Sequence, residues 1–430
     1  MNEQSLKTRT PQTPVKSWKV ITAASVGNAL EWYDISVYAY FSVYISVAFF
    51  PSDSHAVSVM LALGTFALSF FIRPVGAIVL GSFADRRGRK PALTLTIWLM
   101  FLGTLMIVLM PPAHVIGLAA PLLILLARLI QGFAAGGEFG SATSLMVEHL
   151  PNRRGFAASW QFTSQAMSTI LASVIGVAVT TSLSQEQLET WGFRLPFIVG
   201  LLVGPVGLYI RRHVPESPEF TAARAEKPKE TAAIGGVLRH HKLAVVLAIG
   251  AIAVSTCLNY FITYVPTYAV DNLGMPSSAG FWATLVSGAV LFLFTPIAGY
   301  FCDKVGRLTI MIPAAVAVMV LTWALFTWVV AANALTVLIV VVAIFSVFKA
   351  AYYGPLASVM GDIFPTEVRG TGLSLSYNVG VAIFGGLTPL VAAWLIGVTG
   401  DAKAPAYWVL LAGALSVASI FVVWKKLGVR

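Results

Sequence analysis

The feature that most constrains this chain is that it is written twice. Gly81, Asp85, Gly88 and Arg89 of GSFADRRGRK (81–90) recur as Gly299, Asp303, Gly306 and Arg307 of GYFCDKVGR, each 218 positions further on. That offset is close to half of the 430 residues, so the chain is two like units in tandem. A second pair agrees. EHLPNRRG (148–155) and DIFPTEVRG (362–370) set an acid, a proline and an Arg-Gly pair at matching places in the two units.

Long apolar runs fill the space between these loops. Only 11% of the residues are charged, 57% are hydrophobic and the mean hydropathy is +0.82. A soluble domain carries about 25% charge, and one this apolar could not cover its own surface. A membrane-crossing helix needs about 20 apolar residues. Twelve segments meet that need, near 18–49, 56–84, 91–111, 116–148, 156–183 and 193–212, then 242–270, 278–302, 308–331, 334–363, 371–399 and 405–424. The fold class is therefore all-α: a polytopic membrane protein with 12 transmembrane helices in two pseudo-symmetric six-helix halves. The expected divisions are a cytoplasmic tail (1–17), an N-terminal half (18–212), a cytoplasmic linker (213–241) with a short amphipathic helix near 232–239, and a C-terminal half (242–430). The tail has no apolar core before a cleavage site and is no signal peptide.

Placing both termini in the cytoplasm leaves Arg73, Arg128 and Lys349 within the membrane and Arg194 and Lys403 outside. Every other base of the 28 then faces inward, as the positive-inside rule requires. The net charge of +10 is thus spent on loops and forms no continuous basic face, which excludes nucleic acid as a partner. Cys257 and Cys302 imply no disulfide framework and no metal spacing. No nucleophile–base pair or phosphate-binding loop marks an enzyme, and no cofactor is expected.

Ionisable groups inside a bilayer are costly, and each is a functional candidate. Asn28, Glu31 and Asp34 follow one another at intervals of three on the first span, so neighbours share a face. Two close carboxylates cannot both ionise cheaply in a low dielectric, which suits one of them to carry a proton. The alternative is a structural ion pair with Arg73 or Arg128. Arg73, just ahead of Pro74, can bind a carboxylate bidentately or pair with Glu31 or Asp34. Arg128 and Gln131 precede Gly132, Gly136, Gly137 and Gly140, glycines that let another helix approach closely. Glu138 is either a second proton site or a packing acid. Lys349 has no acid between Asp303 and Asp362, so it needs a partner from another helix or an anionic substrate. Gln161, Gln165, Tyr260 and Asn378 are the uncharged groups best suited to add hydrogen bonds in a midplane cavity, or else to glue helices together.

The duplicated G-x-x-x-D-R-x-G-R-K loop between six-helix halves resembles that of the major facilitator superfamily. GNALEWYD (27–34), FFIRPVGAIVLG (70–81), ARLIQGFAAGGEFG (127–140), WGFRLPF (191–197) and AIFGGLTPL (382–390) are similar to segments of its metabolite:proton symporter family. WQFTSQ (160–165) and AIFGGLTP with TGDAKAPAYW (399–408) look most like the citrate and tricarballylate members. The resemblance implies a monomer in a bacterial inner membrane that takes up a small organic anion, a di- or tricarboxylate such as citrate, together with a proton. It implies a role for Arg128 in proton coupling. It also implies that Gly81, Asp85, Arg86, Gly88 and Arg89, with Asp303, Gly306 and Arg307, close the cytoplasmic side, Asp85 docking on the N-terminus of the eleventh helix. On this reading Glu31, Asp34, Arg128 and Glu138 carry proton coupling. Arg73, Arg128, Lys349, Asn28, Gln161, Gln165, Tyr260 and Asn378 meet the substrate. Lys349 departs from the family pattern, where a small or polar residue is expected. The alternative is a carrier of a monocarboxylate such as shikimate, or of a zwitterion such as proline or betaine. Trp32, Tyr33, Tyr38, Tyr260 and Tyr264 could build the aromatic cage that betaine needs.

Overall fold

A computed structural model of the protein describes residues 17–87, 89–136, 154–201, 234–365 and 368–427. Its regular structure is helical, with no strand among the described residues. The N-terminal helices are α1 (Ser17–Tyr40), α2 (Ser42–Phe49), α3 (His55–Phe71), α4 (Arg73–Arg87), α5 (Arg89–Leu109), α6 (Ala119–Ala135), α7 (Arg154–Ser182) and α8 (Gly192–Leu201). The C-terminal ones are α9 (Lys242–Asp271), α10 (Ser277–Val305), α11 (Arg307–Ala332), α12 (Leu335–Asp362), α13 (Arg369–Val381), α14 (Leu387–Thr399) and α15 (Pro405–Leu427). Among the described residues eight helical stretches are long and apolar enough to cross a membrane, counting His55–Phe83 and Arg369–Thr399 as one each. The shorter apolar helices Thr94–Leu109, Ala119–Ala135 and Gly192–Leu201 fall on three further expected spans. A short helix, Ile234–His240, lies where an amphipathic one was expected.

Among the described residues three spans are interrupted, and the causes differ. Between α3 and α4 the break at Ile72 follows from Pro74, which has no N–H to offer the carbonyl of Phe70. Between α1 and α2, Phe41 turns out of helical geometry (φ −102°, ψ 17°) with no proline or glycine to cause it. Between α13 and α14, Ala382–Gly386 forms a π turn, a distortion frequent at functional sites. Gly385 lies against the Tyr260 ring and Gly386 against the Phe70 ring, where side chains would collide with both.

Glycines set the closest helix contacts. A Cβ on Gly132 would overlap the Ser69 carbonyl oxygen, one on Gly136 the Arg73 carbonyl, and one on Gly76 the Phe133 carbonyl. The two helices of the second span and α6 thus touch backbone to backbone, which brings Arg73 and Arg128 together. Gly132→Val is expected to force these helices apart at a cost of about 1–3 kcal/mol. The check is a thermal melt in detergent, where an unchanged midpoint would mean that the helices are not held this closely.

The halves meet most extensively where α7 packs on α10. Gly288 receives Ile170, Gly299 receives Ser159, and Ser173 is hydrogen-bonded to Thr284 at 2.8 Å. At the end away from the charged loops, Ser42 meets Thr267 at 2.8 Å, the rings of Phe41 and Phe281 lie 5.1 Å apart, and His55 meets Asp271 at 3.3 Å. At the charged-loop end, Asp303 accepts backbone hydrogen bonds from Gly155 at 2.9 Å and Phe156 at 3.1 Å, the first turn of α7.

Candidate functional site

The break ahead of Pro74 places Arg73 at the first position of α4, against an aromatic wall built by α1, α3 and α9. Its guanidinium carbon lies 4.1 Å from the centre of the Phe70 ring and 5.4 Å from that of Trp32. Arg128 on α6 lies 4.3 Å from the Tyr38 ring and 5.4 Å from Phe66. The Tyr260 ring completes the wall, 5.2 Å from Phe70, 6.0 Å from Phe66 and 6.3 Å from Trp32. Both guanidinium groups are buried, 3% and 1% exposed. Stacking on an aromatic face contributes about 0.5–2 kcal/mol, far below what burying a charge costs.

Arg128 reaches Asp34 through two intermediates. Its Nη1 donates to Gln131 Oε1 at 2.7 Å, Gln131 Nε2 donates to Thr104 Oγ1 at 2.9 Å, and Thr104 donates to Asp34 Oδ2 at 2.8 Å. Arg128 Nη2 also donates to Ser69 at 3.3 Å. Asp34 Oδ1 has no hydrogen-bond partner among the described residues, and a side chain on Gly200 would run into it. Thr104 was not an expected site residue. Its one sequence signal is Gly103 beside it in an apolar run, and Gly103 is the position whose Cβ would strike the Gln131 side chain.

Across the interface, the hydroxyls of Tyr260 and Tyr377 lie within electrostatic reach of both Arg73 and Glu31. The Tyr260 hydroxyl has no hydrogen-bond partner among the described residues, although the residue is 2% exposed. Lys349 on α12 is equally buried. Its Nζ donates to Asn259 Oδ1 at 2.6 Å and lies 5.0 Å from the Tyr353 ring, which stacks on Phe162 at 4.1 Å. Asn259 is the second residue the sequence reading missed, a single amide in a long apolar helix.

The other expected ligands are spread more widely. Asn28 and Gln161 exchange hydrogen bonds, Asn28 donating to the Gln161 carbonyl at 3.0 Å and Gln161 Nε2 donating back to Asn28 Oδ1 at 3.1 Å. Asn28 also donates to Ser164 at 2.7 Å. Asn378 donates to the Ser374 carbonyl in its own helix at 2.9 Å. Of the five residues considered for an aromatic cage, Tyr33 donates to the Pro196 carbonyl at 2.8 Å and Tyr264 to Asn272 at 3.4 Å. Tyr38 is occupied by Thr65 and Arg128. Only Trp32 and Tyr260 remain together, and Arg73 lies against Trp32. Glu138, Gly88 and the side chains of Asp85, Arg86 and Arg89 lie outside the described residues. No cluster of three or more metal-ligating side chains occurs among the described residues.

In the loop repeat, Gly306 ends α10 at φ +96°, a conformation that favours glycine. Gly81 has open space around it, and Arg307 forms an ion pair with Asp362. Asp303 places its carboxylate at a helix N-terminus, where a negative charge contributes about 0.3–1 kcal/mol. Asp303→Asn is expected to remove a stabilisation of about that size, read as a lower midpoint in the same melt. An unchanged midpoint would show that the contact holds nothing.

The chain resembles known proteins along almost its whole length. The family model described as "Sugar (and other) transporter" matches residues 20–243 and again 222–427. A citrate-proton symporter of Salmonella typhi is 34% identical over 409 residues, covering 95% of this chain and 94% of that protein. One from Klebsiella pneumoniae is 33% identical, covering 94% and 91%. A putative proline/betaine transporter of Staphylococcus aureus (strain MSSA476) is also 33% identical, covering 95% and 88%. Among solved structures, the major facilitator superfamily proton:xylose symporter XylE bound to 6-bromo-6-deoxy-D-glucose superposes with a TM-score of 0.77 at 18% identity, covering 96% of each chain.

Proposed function

We propose that this chain, which belongs to the sugar (and other) transporter family of the major facilitator superfamily, takes up a small carboxylate anion, a di- or tricarboxylate such as citrate, together with a proton. The observation that carries this reading is a concentration of buried positive charge. Arg73, Arg128 and Lys349 are all buried, and the Lys349 ammonium is held only by the neutral amide of Asn259 and the Tyr353 ring among the described residues. An anion entering between the halves would neutralise them. Arg73, Lys349, Gln165 and Tyr260 are its ligands on this reading, while Asn28, Gln161 and Asn378, bonded to one another or within their own helix, belong to the frame.

Asp34 and Glu31 take the proton. The chain through Thr104 and Gln131 ties the charge state of Asp34 to the field of Arg128. An ionised Asp34 holds part of that field, and a protonated one releases it toward the anion. Binding at the midplane between two like halves is the arrangement that supports alternating access. On this reading both termini lie in the cytoplasm, which the distribution of Lys and Arg supports, and the protein sits in a bacterial inner membrane, which its bacterial relatives support. The halves are 18–212 and 242–430, joined by a linker over 213–241.

The relatives named for citrate and for proline or betaine are similar at nearly equal identity, so the site has to decide between them. Arg73 against Trp32 favours the anion, because a quaternary ammonium would need that face free. The test is uptake into proteoliposomes under an imposed inward proton gradient, with citrate, 2-oxoglutarate, shikimate and betaine compared. Citrate or 2-oxoglutarate should accumulate and stop when the gradient is collapsed. Accumulation of betaine alone would overturn the anion reading, and uptake indifferent to the gradient would remove the proton. Lys349→Ala is expected to raise the KM for the transported anion by about 10- to 100-fold, the effect of a lost hydrogen bond to a charged group. An unchanged KM would make Lys349 structural.

A further inference from the structure

Lys349 and Asn259 face each other from α12 and α9, with Nζ 2.6 Å from Oδ1. An ammonium can only donate, so the amide oxygen must be its acceptor, and the amide N–H groups are turned away from the lysine. Lys349 is 1% exposed, whereas Asn259 is only partly buried. One side of the ammonium is walled by Tyr353, whose ring is 5.0 Å away and stacks at 4.1 Å on Phe162 of the other half. Of the two partners, Asn259 is the one that keeps some exposure. The Asn259 backbone carbonyl is already engaged by Thr263 at 2.9 Å, so the group left over to meet a solute is the amide donor.

We propose that Asn259 is a specificity-determining residue of the transport site, its amide donating to one oxygen of a substrate carboxylate while Lys349 supplies the charge. This rests on the anion reading above and adds a selection rule to it. A carboxylate, with two acceptor oxygens, fits a donor beside a cation. A cationic group of a zwitterion meets a like charge and no acceptor, because the amide oxygen is taken by the lysine.

The test is titration of the full-length protein in lipid nanodiscs with citrate, 2-oxoglutarate and shikimate by calorimetry. Asn259→Asp keeps the side-chain size, removes both donors and places a carboxylate where it closes on Lys349. It is expected to weaken binding of the preferred anion on the order of 100-fold, as when a buried charge pair loses its partner. Its melting midpoint without ligand should be equal to or above that of the native protein, which separates a binding defect from a folding defect. If that variant does not fold, Asn259→Leu, of similar size and without a donor, should weaken binding in the same direction. Exchanging the pair, Asn259→Lys with Lys349→Asn, restores one cation and one amide and should bind on the order of tenfold or more tightly than Lys349→Asn alone. Native-like affinity in Asn259→Asp, or an exchange no tighter than Lys349→Asn alone, would overturn the assignment while leaving the anion reading intact. If the native protein binds none of the three anions, the anion reading itself falls and takes this one with it.

Discussion

Arg73→Ala is expected to raise the KM for the transported anion on the order of 30- to 4,000-fold, because removing one member of a buried charge pair costs about 2–5 kcal/mol. The native side chain is held where it is by three features: the helix break ahead of Pro74, the Phe70 ring at 4.1 Å and the Trp32 ring at 5.4 Å. Arg73→Lys should not restore affinity, since an ammonium neither stacks on these rings as a plane nor grips a carboxylate with two parallel bonds. Initial uptake rates across a concentration series measure both variants. A native KM in Arg73→Ala would mean that Arg73 braces the aromatic wall without meeting substrate, and full rescue by lysine would mean that only its charge matters.

The second large effect is expected at Asp34. Asp34→Asn keeps the size of the side chain and can still accept the Thr104 hydroxyl at Oδ, but it cannot take a proton. Accumulation under an inward proton gradient should fall to the level seen without a gradient. Exchange of labelled for unlabelled substrate across the same membrane, which needs no net proton movement, should persist. Loss of both activities would assign Asp34 to folding or binding, and persistence of both would move proton carriage to Glu31. Thr104→Val, which cuts the chain between Asp34 and Gln131 while leaving both charges in place, should weaken coupling less than the loss of the acid does.

What could be read from the chain follows from how each feature is encoded. A span announces itself because about 20 successive residues must all be apolar, and the duplication does so because its charged loops stand out against that background. The break at Ile72 is legible through Pro74. The break at Phe41 is not, since no proline or glycine marks it and nothing in its neighbours forbids helix. Gly132 and Gly136 could be read as close-contact positions, although not that they would meet the helices carrying Ser69 and Arg73. The charged site residues were conspicuous because charge in a bilayer is rare. Their partners were hidden. Thr104 and Asn259 are single small polar residues of a kind that usually joins helices, and only the fold shows that one touches Asp34 and the other Lys349. Asn28 and Gln161, two amides expected as ligands, bond each other, while Gln161 Oε1 is left without a partner among the described residues.

Asp303 belongs to one copy of the repeated unit, and the helix start it caps, at Gly155, belongs to the other. Gly155 and Gly370 close the two copies of the second repeat, and Asp303 and Asp85 occupy matching places in the first. In a two-fold dimer of an unduplicated six-helix chain, each subunit would offer both partners and the contact would form twice about the axis. Tandem fusion makes that meeting intramolecular, which raises the effective concentration of one half for the other. Each contact then need contribute only about 0.3–1 kcal/mol, enough to hold a tethered partner and little enough to let go on every turnover.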